Sequence, residues 1–246
     1  MPILLLVLLS LAVGLGVGMA FLVVRWVRRN RLRARPLRRE TNASRFYFQS
    51  RRIPYLRRPA CWLAVKSRNL FLVQSALGLH NPKPCSWTEG LAGEEKLFIA
   101  PPVRGWILVI GSGLPDPGED VDACFRFVVD LSRKLGQVQF FSASRVLHHH
   151  AWVKAEAGRV LRAYAWAGKT LWNQGLPTAA ERELNLRCFD YADATDRPIF
   201  GQPDLMAANT EKVPLLAARW SLDPARIDER FLDQERGIAG EPSRRY

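Results

Sequence analysis

The stretch that most constrains this chain is Ile3 to Val24, about 22 residues without one charged side chain. As a helix rising about 1.5 Å per residue it reaches roughly 33 Å, enough to cross a hydrocarbon core about 30 Å thick. Arg25, Arg28, Arg29, Arg31, Arg33, Arg35, Arg38 and Arg39 follow at once. Residues 1–24 are therefore read as a single-pass transmembrane anchor, and the arginines as a collar that meets anionic lipid headgroups. A cleaved signal peptide is the competing reading. Gly18-Met19-Ala20 has the small-x-small form, but Phe21-Leu22-Val23-Val24 carries the apolar run past it and no basic residue precedes the run. With all nearby arginines on the C-terminal side, the positive-inside rule puts the N-terminus outside and the rest of the chain in the cytoplasm, at the inner membrane. Gly14 and Gly18 form a GxxxG pattern within the run, which lets two such helices approach and predicts a dimer through that face.

The net charge of +13 suggests a nucleic-acid partner until it is divided along the chain. Residues 1–60 hold thirteen arginines against one acid, Glu40, so +12 of the charge lies there and the rest of the chain is close to neutral. A nucleic-acid domain carries its basic patch on the folded part. The excess here belongs to the collar, which excludes nucleic acid and points to a membrane with anionic lipids. The preponderance of Arg over Lys hints at a GC-rich bacterial genome.

Residues 25–59 read as a basic juxtamembrane tether, interrupted by Phe46-Tyr47-Phe48 and broken by Pro54 and Pro59. Asn42-Ala43-Ser44 is a formal glycosylation sequon that a cytoplasmic position would leave unused. Cys61, Cys85, Cys124 and Cys188 are widely spaced and form no CxxC pair, so they are read as small buried apolar residues in a reducing compartment.

Residues 60–187 carry the pattern of an α+β domain. Cys61 to Lys66 reads as a strand, and Ser67 as the cap of a helix over 68–79. Asn81-Pro82-Lys83-Pro84 is a break, and Ser86 with Glu89 has capping-box spacing for a single turn. Residues 96–100 and 106–111 read as strands around a Pro-Pro turn. Asp120 caps a helix in which Val121, Phe125, Val128, Leu131 and Leu135 recur at helical spacing until Gly136 stops it. A strand over 138–142 follows, then a meander over 151–156, 160–166 and 170–172, in which one strand face carries Val160, Arg162, Tyr164 and Trp166. Thr178 and Glu181 form a further capping box. The order β-α-β-β-α-β across 61–142 is that of a ferredoxin-like (split βαβ) unit, which the antiparallel meander extends. Residues 188–246 form a C-terminal extension: a loop to Gln202, a helix from Asp204 restarted at Thr210, a helix over 224–236 behind an Asp223 cap, and a disordered end from Gly240.

Three places have the residue types for chemistry. His148 and His150 share one side of an extended chain, so two imidazoles can bind one divalent transition metal if a third ligand converges. The Gly111 to Asp122 loop precedes a helix N-terminus, but its carboxylates repel phosphate and are explained as capping acids. Trp152, Tyr164, Trp166 and Trp172 lie on adjacent strands and form either a ligand platform or core. No GxSxG elbow, P-loop or paired-carboxylate spacing occurs. The chain is therefore read as a non-enzymatic binding module for a protein or ligand at the membrane surface, needing no cofactor. The alternative is a metal-dependent hydrolase using His148 and His150.

Overall fold

The computed structural model describes residues 59–92, 95–147, 149–191, 205–227 and 236–242. The expected anchor with Gly14 and Gly18, the eight collar arginines, Phe46-Tyr47-Phe48, the sequon and His148 lie outside these residues. Among the described residues, no helix is long and apolar enough to cross a membrane.

The domain is a mixed α+β fold built on one nine-stranded antiparallel sheet. Its elements in chain order are β1 (Cys61–Val65), α1 (Leu70–Leu77), β2 (Leu79–Cys85), α2 (Trp87–Ala92), β3 (Leu97–Ile99), β4 (Ile107–Ile110) and α3 (Val121–Leu135). There follow β5 (Gln137–Ser144), β6 (His149–Glu156), β7 (Arg159–Trp166), β8 (Thr170–Gln174), α4 (Ala179–Glu183), α5 (Leu205–Trp220), a 3-10 turn (Pro224–Arg226) and β9 (Gly237–Pro242). The sheet order is β2-β9-β3-β4-β1-β5-β6-β7-β8.

Alternation along each strand divides the interior into two layers. On one face Leu63, Val65, Ile107, Val109, Val138, Phe140 and Val153 pack against Val73 and Leu77 of α1 and against Cys124, Phe127, Val128 and Leu131 of α3. On the other, Trp62, Phe98, Leu108, Phe141, Trp152 and Tyr164 lie under Trp87 and Leu91 of α2 and Val213, Leu216 and Ala217 of α5. Helix α3 keeps its expected bounds because its signals are local: the Asp120 carboxylate accepts from the Ala123 N–H at 2.8 Å, and Gly136 closes the helix at φ +82°.

Several expectations are corrected. The cap of α1 is Asn69, whose Oδ1 accepts from the Leu72 N–H at 3.2 Å, while Ser67 receives only the Asn69 N–H. The Pro-containing break at 81–84 is instead part of β2, an edge strand, where prolines with no N–H to donate are tolerated. Helix α5 runs on through Thr210 and Pro214 without a restart. Directly after the Asp223 cap the described residues form a 3-10 turn, Pro224–Arg226, with Ile227 extended, where the first turn of an α-helix was expected; residues 228–235, the body of that expected helix, lie outside the described residues. Gly237 to Pro242, expected as a helix stop and a disordered end, is β9, inserted between β2 and β3. A Cβ on Gly237 would collide with the Ile99 carbonyl and the Phe98 ring, and one on Gly240 would lie 2.6 Å from the His80 carbonyl oxygen. Glycine here serves close backbone approach, not flexibility. A bulge at Leu161 shifts the β6–β7 register between Lys154 and Ala155, so Val160 joins the α1/α3 face and not the face of Arg162, Tyr164 and Trp166.

Both sheet edges are blunted. Proline interrupts the donor row of β2, and at β8 the Tyr191 hydroxyl accepts from the Asn173 N–H at 2.8 Å.

Candidate functional site

A cluster of titratable and hydrogen-bonding groups is drawn together in the interior on the α5 face of β6 and β7. Pairing there places His150 opposite Trp166, Trp152 opposite Tyr164, and Lys154 opposite Arg162, so alternate residues of two strands form a grid of six side chains. The rings touch in sequence. His150 stacks on Trp152 with centroids 5.7 Å apart and planes 10° from parallel, and Trp152 lies 5.0 Å from Tyr164. Trp166 meets Phe189 at 5.7 Å.

Arg162 and Glu181 close one end of the grid, at 1% and 0% exposure. Glu181 belongs to α4 as the third residue of its capping box: Oε2 accepts from the Thr178 N–H at 2.7 Å, and the Thr178 hydroxyl accepts from the Glu181 N–H. Its other oxygen, Oε1, accepts at 2.8 Å both from Arg162 Nε and from Trp152 Nε1. The remaining guanidinium nitrogens of Arg162 donate to the Ala163, Gln174 and Gly175 carbonyls, to Asn173 Oδ1 and to Cys188 Sγ. Nε, Nη1 and Nη2 of the guanidinium each donate to at least one of these acceptors, and hydrogen-bonded partners of this kind are what make a buried charge tolerable.

At the other end His150, 1% exposed, has Nδ1 at 3.1 Å from Thr210 Oγ1 and Nε2 at 3.5 Å from Asn209 Nδ2, both on α5. Asn209 also accepts from the Arg187 N–H and donates to the Arg187 carbonyl, and the Tyr164 hydroxyl accepts from the Phe189 N–H at 3.2 Å. The segment over 184–190 is thereby bolted to the sheet by side chains of β7 and α5. Burial pushes the Tyr164 phenol above its ordinary range. Burial likewise pushes the Cys188 thiol up to about 12, against the opposing pull of Arg162, so at neutral pH it is a protonated donor-acceptor and no nucleophile.

Of the residues expected to carry a site, Trp152, Tyr164 and Trp166 do meet, but as covered core. Trp172 does not join them: a second bulge, at Leu171, turns it to the opposite face, where it meets Phe125 edge-on at 5.3 Å. His150 is directed into the core beneath α5, and His148 lies outside the described residues. Among the described residues no three His, Cys, Asp or Glu side chains group as a metal site. In the 111–122 loop, Asp116 accepts from the Gly118 N–H and Asp120 caps α3, as expected of capping acids. Burial pushes the Cys124 thiol behind this loop up to about 12, with Asp116 and Asp120 adding to the effect.

Sequence reasoning missed the Arg162–Glu181 pair because nothing local links residues 19 apart, and a capping glutamate is ordinarily a surface residue. One signal was present: Arg162 interrupts the apolar face Tyr164–Trp166 of an otherwise buried strand, and a charge in that position requires a buried counter-charge. Among the described residues, other polar atoms of this face have no hydrogen-bond partner: Trp62 Nε1, Trp87 Nε1, Gln139 Oε1 and Ser221 Oγ. Gln139 nevertheless ties the end of α5 to β5 by donating to the Trp220 carbonyl at 3.2 Å.

No protein-family model matches this sequence, and comparison with characterised proteins and with solved structures found no match either.

Proposed function

We propose that this chain is a single-pass membrane protein whose cytoplasmic domain acts as a binding module, holding a protein partner at the inner face of the membrane. The observation that carries this reading is the uncharged run Ile3 to Val24 closing on eight arginines. The domain's organisation supports it. Buried Glu181, His150 and Gln139 fasten α4 and α5 to the sheet, while α1 leaves Phe71 75% exposed and Leu72 beside it exposed as well. These two belong to the first turn of α1, which follows the end of β1 away from the point where the chain enters the domain. An exposed apolar pair of this kind is a surface that a protein partner can cover. In the same reading β5-β1-β4-β3, with α1 and α3 on one face, form a ferredoxin-like (split βαβ) unit, which β6 to β8 extend on one side and β9 and β2 on the other. Their order and their antiparallel sense support that assignment.

The test is protease added to sealed cells expressing the full chain, followed by alkaline extraction of the membranes. The domain is expected to survive until the cells are permeabilised, and the chain to stay with the lipid at alkaline pH. Digestion in sealed cells, or release by alkali, would overturn the reading.

A further inference from the structure

We propose that the tip of the β5–β6 hairpin, Val146 and Leu147, is a second membrane contact that seats in the lipid interface when the anchor is inserted. The inference rests on the membrane reading above and adds to it which end of the domain faces the bilayer. Val146 is 89% and Leu147 58% exposed, an apolar pair at the apex of a hairpin whose flanking strands are buried. Position singles this pair out. The chain enters the domain at residues 59–60, and the Ala143 N–H donates to the Ala60 carbonyl at 2.7 Å. Cys61 pairs with Ser142 in the adjoining register. The tip therefore projects from the same end of the sheet at which the tether arrives, within a few residues of it. The exposed Lys169, in the turn between β7 and β8, stands at that end as well, because Trp166 pairs with His150.

The acids of the neighbouring loop set the kind of contact. Asp116, Glu119 and Asp120 are exposed at this end, beside β1, where Cys61 Sγ reaches the Pro115 carbonyl. They oppose anionic headgroups, and Arg145 at the tip is already paired with Glu211. The contact expected of this end is thus apolar insertion of two side chains, and salt should not dissolve it. Two such residues bind lipid weakly from free solution. A tether of about 35 residues confines them to an effective concentration of roughly millimolar, which makes a weak contact count.

The experiment uses the full chain in nanodiscs made from equal parts phosphatidylethanolamine and phosphatidylglycerol. Val146→Cys and, separately, Leu147→Cys are labelled with a charged maleimide. Their rates are compared with that of Leu176→Cys, whose parent residue is 87% exposed at the opposite end of the sheet. The unsubstituted chain supplies the background from its native thiols, and equal melting temperatures show that the variants fold. The tip cysteines are expected to react about tenfold more slowly than Leu176→Cys, at low and at high salt alike, the ratio expected when the seated state dominates. Equal rates, or protection lost at high salt, overturn the proposal while leaving the anchor in place. A chain that does not remain with the discs overturns the membrane reading itself, and this inference with it.

Discussion

Replacing Glu181 by alanine should be among the most damaging single changes in the domain. The substitution strips the acceptor from three donors at once: Arg162 Nε and Trp152 Nε1, each 2.8 Å from Oε1, and the Thr178 N–H, 2.7 Å from Oε2. Breaking a buried ion pair by removing one partner costs about 3–5 kcal/mol, because the other charge stays buried and uncompensated. An orphaned neutral donor such as the indole N–H adds about 1–3 kcal/mol. The total of roughly 4–8 kcal/mol is most of the stability that an ordinary domain possesses, about 5–15 kcal/mol. Removing both charges should be milder. Arg162→Met with Glu181→Leu leaves no unpaired charge, and is expected to cost less than the sum of the single changes by about 2–3 kcal/mol. Urea unfolding of the membrane-held chain, followed by near-ultraviolet circular dichroism, measures both quantities. A loss below about 1 kcal/mol for Glu181→Ala, or strict additivity of the pair, would refute the idea that this ion pair fastens α4 to the sheet.

Other consequences follow from the same geometry. Gly237→Ala should break the pairing of β9 with β3, since its Cβ meets the Ile99 carbonyl; faster hydrogen exchange confined to 79–85, 97–99 and 237–242 is the expected result. Burial holds the Cys85 thiol near 11 and the Cys124 and Cys188 thiols near 12, against an ordinary value of 9.0. Folding therefore retains these protons, so stability is full below about pH 9 and falls as pH rises from there towards 12. Alkylation at pH 8 should accordingly be far slower in the native chain than after denaturation. Ser221→Ala removes a buried hydroxyl that has no partner among the described residues, and should be neutral or stabilising by up to about 1 kcal/mol in the same urea assay.

What the chain's own order of residues determined was local in origin. The capped helix Val121–Leu135, the capping box at Thr178 and the hairpin strands of the meander each rest on contacts between neighbours close in the chain. The order of elements across 61–142 was legible in part: the first strand, the helix after it, the two strands around the Pro-Pro turn, the capped helix and the strand that follows were expected, whereas β2 reads as a break because its prolines hide a strand. Tertiary structure alone decided the rest. Gly237–Pro242 becomes a strand because two distant strands leave a gap that only small residues can approach, and the prolines of β2 are tolerated because that strand is the edge. Single-residue bulges at Leu161 and Leu171 decided which aromatics share a face, because an extra residue reverses every side chain beyond it. Arg162 found Glu181, and His150 found Thr210, only once α4 and α5 had closed over the sheet, since burial and long-range pairing are properties of the packed fold.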